Sequence, residues 1–376
     1  MNAVSIREGG PRVVLIKLMS AMHRERPDLE IAVAAPPAIC AELGKAAAVC
    51  QPVTVGQSPF ALAKWYELDL PSAVRKWSAD ILFSVTNYLP YRRLSVPTLL
   101  LEQHAGHFSP MFDRLMLEAT PSMLGRLAWR YTGYWVRHSV EAATVLTVQK
   151  AALADAIAAK TRVPRSRIHV VPHGPGWVEM RAEEELAVSP AAGPLRIGYI
   201  TKAGVQKNFG TVFRAVRRLS EQGRDIRLVL TLDARDPIAA AALAEAEASG
   251  IAHMLENVGE VPAQAISDLY DSLDIFVFAS LSESFGMPMV EAMARGLCMV
   301  IADTAENREV VGAAGLAFSA LDAEQLASVL ERLCADPGLR RQYAHMSLQR
   351  AREFSWRKAA QGTAAALEAA VANNAS

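Results

Sequence analysis

The stretch "DIFVFASLSESFGMPMVEAMARGLCMVIAD", residues 274–303, decides the fold. An apolar run leads into an acidic loop, a helical pattern starts near Pro288, and a second apolar run follows. Strand, loop, helix and strand at this spacing form one βαβ unit, and such a crossover requires parallel strands. Ala292, Ala294 and Gly296 are small enough to let the helix approach a sheet closely. Glu283 and Glu291 stand eight positions apart. On one continuous helix that spacing means about 12 Å of rise and about 80° of rotation beyond full turns. The two carboxylates would not converge on one atom, but they could grip two parts of an elongated ligand. Proline suits the first helical position, which leaves Glu283 in the preceding loop. The N–H groups of Gly286, Met287 and Met289 are then expected to be unpaired, where the helix dipole favours negative charge. An anion site with a carboxylate on each side is one reading. Two ordinary solvated glutamates on an amphipathic helix is the other, and the surroundings must decide.

The same alternation runs through the whole chain. In the first half "EIAVAA" (30–35), "CQPVTV" (50–55), "DILFSV" (80–85), "PTLLLEQ" (97–103), "TVLTV" (144–148) and "IHVVP" (168–172) read as strands. In the second half they are "LRIGYI" (195–200), "IRLVLTL" (226–232), "HMLENVG" (253–259), "DIFVFAS" (274–280) and "CMVIAD" (298–303). Helical patterns separate them, which predicts an α/β protein with parallel sheets. A chain of 376 residues suits two domains. The Pro-, Gly-, Ala- and Glu-rich segment 170–194 marks the boundary. The expected division is residues 1–172, residues 173–353, and a C-terminal helix over 354–376 anchored by Trp356, crossing back to the first domain.

Composition excludes several classes. The formal net charge is +0, which argues against a general nucleic-acid binder. The halves differ: residues 1–176 carry 20 Lys and Arg against 13 Asp and Glu, leaving 39 − 20 = 19 against 39 − 13 = 26 in the remainder. A basic first half would suit an anionic acceptor or an anionic membrane surface, or simply complement an acidic second half. The segment 111–140 mixes Arg114, Arg126, Arg130 and Arg137 with Met, Leu, Trp and Tyr, as a membrane-surface helix or a packed helix with a solvated face would. No apolar run approaches the ~20 residues of a membrane span, and the first residues lack a signal-peptide stretch. The four cysteines Cys40, Cys50, Cys298 and Cys334 form no CxxC pair. They are expected to be reduced thiols of a cytoplasmic protein, peripheral at the inner face of the membrane if anchored at all. No metal-ligand spacing is present.

Other candidates cluster where strands end. "YITKAGVQKN" (199–208) places Lys202 and Lys207 in a strand-to-helix loop, where two cations suit a diphosphate or are merely solvated. Asn208 is a natural N-cap. "VGEVP" (258–262) offers backbone near Glu260 and Val261 to a planar base. "LLLEQHAGHFSP" (99–110) carries His104 and His107 past a strand end, and His173 sits at the boundary in "VPHG". Gly9 and Gly10 lie in a loop entering a helix, a place where backbone can approach a phosphate.

Taken together and in this order, "VVPHG", "TKAGVQKN", "VGEVP", "ESFGMPMVEAMARG" and "EFSW" resemble the family 4 retaining glycosyltransferases. That family has the B-type glycosyltransferase fold, two Rossmann-like domains facing each other across a cleft. The resemblance implies a donor site in which Glu283 bonds the sugar hydroxyls and Glu291 the ribose hydroxyls. Backbone at Ser284, Phe285, Gly286 and Met287 would support the sugar, Val261 the base, and Lys202 and Lys207 the diphosphate. Lys202 stands where the family usually has arginine, which keeps the charge but loses the bidentate fork. Gly9, Gly10, His173 and Gly174 would line the donor site, and His104 would face the reacting sugar. The two glutamates then hold the two sugars of one nucleotide-sugar, on either side of its diphosphate.

The implied activity is transfer of a hexosyl group from a nucleotide-diphosphate sugar to an acceptor hydroxyl. The α configuration would be retained, and neither a metal nor a cofactor is expected. A glycan, a lipid-linked glycan or a small molecule would accept it, in synthesis of a cell-surface polysaccharide, glycolipid or glycoconjugate. The rivals are a non-catalytic nucleotide-sugar-binding or assembly subunit of the same fold, and a nucleotide-sugar epimerase. Only "MNAVSI" precedes Arg7, where the family has a central first strand and a loop. The expectation is a shortened first strand, through a late start or a sheet lacking its middle strand.

Overall fold

Every apolar run read as a strand forms one, and all the sheet pairings are parallel. The structure is a computed structural model that describes residues 1–56, 58–186 and 193–375; part of the boundary segment thus lies outside the described residues. The chain divides into two units. The first holds Met1–Pro110, Thr120–Gly174 and Ser355–Ser376, the second Met111–Ala119 and Pro175–Phe354.

The first unit begins with α1 (Gly9–Glu25), β1 (Ala32–Ala35), α2 (Pro37–Leu43) and β2 (Val49–Pro52). Next come α3 (Pro59–Lys64), α4 (Leu70–Lys76), β3 (Leu82–Ser84) and β4 (Thr98–Leu101). After α5 (Pro110–Ala119), most of which groups with the second unit, follow α6 (Met123–Ala142), β5 (Val145–Val148), α7 (Ala151–Lys160) and β6 (Ile168–Val170). Two short sheets, β2-β1 and β3-β4-β5-β6, are joined by the first residues of the chain. Asn2 bridges Ala34 of β1 and Ser84 of β3, both in parallel. Its N–H donates to Phe83 O at 2.8 Å, and Ala3 N–H donates to Ala34 O at 2.9 Å. The middle of the sheet is therefore filled rather than missing, by a bridge much shorter than a family-length strand. Burial makes this work: the Asn2 amide, fully enclosed, donates to Ser84 Oγ at 3.1 Å and Thr86 Oγ1 at 3.2 Å. Its oxygen accepts from the Trp65 indole at 3.2 Å, so each polar atom is satisfied.

The second unit runs β7 (Leu195–Tyr199), α8 (Phe209–Glu221), β8 (Ile226–Leu230), α9 (Pro237–Ala248) and β9 (Leu255–Asn257). It continues with α10 (Ile266–Asp271), β10 (Ile275–Phe278), α11 (Met287–Ala294), β11 (Cys298–Ala302) and α12 (Ala305–Val311). It ends with β12 (Gly315–Phe318), α13 (Ala323–Ala335) and α14 (Pro337–Ala351). The sheet order is β12-β11-β10-β7-β8-β9. β10 and β11 are buried at every position, as continuous apolar strands between helices must be. Helix α8 buries Val212, Phe213, Val216 and Leu219, a spacing that keeps one apolar stripe on the core. The sequence missed β12. Its "GLAF" has little β-branched character and only one neighbour, β11, so pairing rather than propensity makes it a strand. The last helix, α15 (Trp356–Ala375), packs along α1 and against β4, β5 and β6 in the first unit.

The expectation of four reduced cysteines is wrong for two of them. Cys40 in α2 and Cys50 in β2 form a disulfide, with Cα atoms 5.5 Å apart. They stand ten positions apart, and the turn from helix into strand brings both side chains together, which linear spacing does not reveal. Cys298 is free and buried, and burial pushes its thiol up to about 12. No helix among the described residues is long and apolar enough to cross a membrane.

Candidate functional site

The strand order of the second unit reverses between β7 and β10: β8 and β9 lie to one side, β11 and β12 to the other. Loops leaving the carboxyl ends of two such strands part in opposite directions and open a crevice for ligands. The loop after β7 carries Lys202 and Lys207, and the loop after β10 carries Ser280 and Glu283. Leu281 N–H donates to Gln206 O at 2.9 Å and stitches the two loops together. The Tyr199 hydroxyl donates to Lys207 O at 2.6 Å, fixing the lysine backbone from the sheet. Asn208 takes the N-cap position in a left-handed conformation, φ 54°, but does not cap through its side chain. Its amide instead donates to Ala320 O at 2.6 Å and Ala279 O at 3.3 Å, so it buttresses the site.

These supports aim the ammonium of Lys207 at Glu283, and the two form a close ion pair. Ser280 Oγ donates to the same Glu283 oxygen at 2.8 Å. The side chains are only 11% and 14% exposed, so water screens the pair weakly. Lys207 Nζ also lies 5.5 Å from the ring centroid of Phe278. Lys202 sits elsewhere on the loop, exposed, and pairs with Glu260 at 3.2 Å. The structure thus unites Lys207 with Glu283 and directs Lys202 toward the "VGEVP" loop. There Gly259 takes φ +70°, and Val261 is half-buried.

Helix α11 begins at Met287, with Pro288 second rather than first. Gly286 precedes it at φ +79°, a conformation that strains any side chain, and a Cβ there would lie 2.4 Å from Met289 Cε. The Met289 N–H is not unpaired as expected: it donates to Gly286 O at 2.9 Å, because the chain tightens into a turn before the helix. Ser284 is half-buried, and Phe285 is buried edge-on against Phe354 at 5.8 Å.

Glu291 is not a solvated surface glutamate. It is buried, its Oε2 accepts from the Tyr270 hydroxyl at 2.8 Å, and its Oε1 accepts from Trp177 N–H at 3.2 Å. Burial, then the charge of Glu291, pushes the Tyr270 phenol well above its ordinary range, and it stays a donor. A Cβ at Gly176 would lie 2.1 Å from Glu291 Oε1 and 2.9 Å from Met287 Sδ. Gly176, Trp177, Tyr270 and Ser280 escaped the sequence reading. The only trace was Tyr270 as the one aromatic in "SDLYDSLD".

In the first unit, Glu102 directly follows β4 and is fully buried. It accepts from His104 N–H at 2.8 Å, which sets the backbone that presents the histidine. Burial pushes the Glu102 carboxyl up to about 8. The rings of His104 and His107 lie 5.0 Å apart, and His107 stacks on Trp129 at 4.1 Å. His173 stacks on Trp356 at 5.4 Å, and burial pushes its imidazole down to about 3, so it is neutral at neutral pH. A Cβ on Gly174 would strike the same Trp356 at 2.6 Å, which explains the glycine by packing. Gly9 takes φ +69° at the start of α1, whereas Gly10 has an ordinary conformation and open space. A pocket of about 290 Å³ opens where this sheet reverses, lined by Ser5, Arg7, Glu8, Asn87 and Gln103 among others. A larger one of about 550 Å³, between β2 and the α3–α4 segment, holds none of the expected residues. Among the described residues no cluster of three His, Cys, Asp or Glu side chains could hold a metal ion.

Known proteins resemble this chain in sequence over part of its length and in fold over nearly all of it. The chain is 30% identical over 236 residues, 61% of its own length, to an MMP alpha-(1->4)-mannosyltransferase of Mycolicibacterium hassiacum. It covers 54% of that relative, and it spans about half or less of the curated relatives it matches. Among solved structures it superposes on sucrose-phosphate synthase of Thermosynechococcus elongatus with TM-score 0.74, at 15% identity, over 96% of this chain and 93% of the other. It superposes on Anabaena HepE in complex with UDP-glucose with TM-score 0.71, at 15% identity, over 98% of both chains. The fold is that of the B-type glycosyltransferases, and residues 194–336 match the family described as glycosyl transferases group 1.

Proposed function

We propose that the protein moves a hexosyl group from a nucleotide-diphosphate sugar to an acceptor hydroxyl with retention of configuration. The observation that carries this reading is the joining of Lys207 to Glu283 at the sheet's reversal point, with Glu291 held separately on α11. In this reading Glu283 orients the donor sugar's hydroxyls and Glu291 grips the ribose. Lys207, Lys202 and the N-terminus of α11 meet the diphosphate, so no metal is required. The acceptor oxygen attacks the anomeric carbon from the face the diphosphate leaves. The bond from that carbon to the phosphate oxygen breaks, the new C–O bond forms, and the acceptor's proton passes to the departing phosphate. The setting is synthesis of a cell-surface polysaccharide, glycolipid or glycoconjugate. Mannose is the first sugar to test, since the first curated relative is named a mannosyltransferase.

The test is a thermal-shift screen against UDP, GDP, ADP and their sugar conjugates, with Glu291→Ala alongside, followed by transfer assays with the stabilising donor. A shift with one nucleotide, lost in the variant, and an α-linked product formed in the presence of a chelator support the reading. Donor binding with no transfer across a panel of glycan, lipid-linked and small-molecule acceptors would favour a donor-binding subunit. Release of an altered nucleotide-sugar without acceptor would favour an epimerase.

A further inference from the structure

Helix α6 turns two unlike faces outward and inward. Trp135, Val136, Ser139 and Val140 are buried. Met123 is 78% exposed, Leu124 81%, Leu127 54%, Tyr131 53% and Tyr134 64%. At about 100° per residue these five fall within an arc of roughly 100° on the side away from the core. Arg126, Arg130 and Arg137, all exposed, fall on a strip about 40° wide beside that arc. No Asp or Glu occurs between Glu118 and Glu141. Among the described residues none of the three arginines is held in an ion pair. Exposed Tyr91 stacks on Tyr134 at 6.5 Å and on Trp135 at 5.8 Å, and exposed Arg92 and Arg93 follow it. A face meant for water would carry glutamate and lysine in place of leucine and methionine. A face meant for a second copy of itself would set arginines against arginines.

We infer that this face of α6 docks on an anionic lipid bilayer. Met123, Leu124 and Leu127 enter the headgroup–acyl boundary, the tyrosines sit at headgroup depth, and the arginine strip meets lipid phosphates. The inference does not rest on glycosyl transfer, because adsorption needs neither donor nor acceptor.

Sedimentation of the full chain with vesicles tests it, comparing phosphatidylcholine alone with phosphatidylcholine mixed with phosphatidylglycerol. Binding to the mixed vesicles alone, weakened by salt, is the expected result. Leu124→Glu with Leu127→Glu reduces that binding at least about tenfold, and Arg126→Gln with Arg130→Gln reduces both the binding and its salt dependence. The positions are exposed, so the variants should keep the wild-type melting temperature, and light scattering gives their oligomeric state. Absence of binding to the mixed vesicles overturns the inference, as does binding that survives both pairs of changes. A dimer that Leu124→Glu with Leu127→Glu dissolves, without any vesicle binding, would reassign the face to self-association.

Discussion

Lys207 and Glu283, 76 residues apart in the chain, form an ion pair at the carboxyl ends of the two strands where the sheet order reverses. Ser280 donates to the same carboxylate oxygen and Tyr199 pins the lysine's carbonyl. Both charges therefore stay in place without a ligand, and a diphosphate sugar would meet donors already oriented.

This pairing separates function from stability. Lys207→Met or Glu283→Gln alone should lower turnover about hundredfold. Each should also destabilise the second unit by about 2–4 kcal/mol, because a largely buried charge loses its counter-ion. The double variant Lys207→Met with Glu283→Gln should regain much of the melting temperature and none of the activity. Activity returning together with stability would show that the pair is structural only.

The cradle around Glu291 predicts a loss of nucleotide affinity. Gly176→Ala would drive a methyl into Glu291 Oε1, now 2.1 Å from that Cβ position, and must swing the carboxylate away. Tyr270→Phe removes one donor at a cost of about 1–2 kcal/mol in stability. Both should raise KM for the donor about tenfold or more, with a smaller effect on kcat. Isothermal titration with the nucleotide alone would show whether Glu291 grips that half of the donor; unchanged affinity in both variants would count against it.

Glu102 should make stability depend on pH in the direction opposite to a salt-bridged carboxylate. Its folded value is raised from 4.5 to about 8 by burial. Below pH 4.5 both folded and unfolded states hold the proton and no difference arises. Between 4.5 and about 8 the unfolded chain ionises while the folded one does not, so stability falls as pH rises. The contribution is of the order of a few kcal/mol across that window. Glu102→Gln keeps an acceptor for His104 N–H and should flatten this slope. Denaturant titrations of both proteins across the window give the difference directly, and parallel curves would refute the burial effect.

The Cys40–Cys50 bridge closes a short loop, and its loss should cost about 2–3 kcal/mol through freedom returned to the unfolded chain. Cys40→Ser, or reduction of the native protein, should lower the melting temperature of the first unit. Peptide mapping without reductant should recover the two cysteines on one linked fragment. Four free thiols in the unreduced, denatured protein, in place of the two from Cys298 and Cys334, would contradict the bridge.

The strand runs of both units were legible because buried parallel strands read as short continuous apolar segments, and their alternation with helical patterns implies crossovers. The glutamate-bearing loop and the proline-started helix were legible for a similar reason: capping and turn chemistry are local. Edge strand β12 and the single-residue bridge at Asn2 were not, since each exists through pairing with distant neighbours and not through its own composition. The same holds for the disulfide, which needs the turn between α2 and β2.

At the site, chain order alone dictates which residue types arrive at the ends of which strands: Lys202 and Lys207 after one, Glu283 after another, Glu291 on the helix beyond. Tertiary structure decided which of them meet. Strand order reverses at β7 and β10, so Lys207 reaches Glu283 while Lys202 turns to Glu260. A glycine and a backbone N–H 114 or more residues upstream enclose Glu291, although nothing in their own segment marks them. The physical reason is that periodicity records how each segment faces its own core, whereas the order in which strands pair is set by long-range burial that no single segment contains.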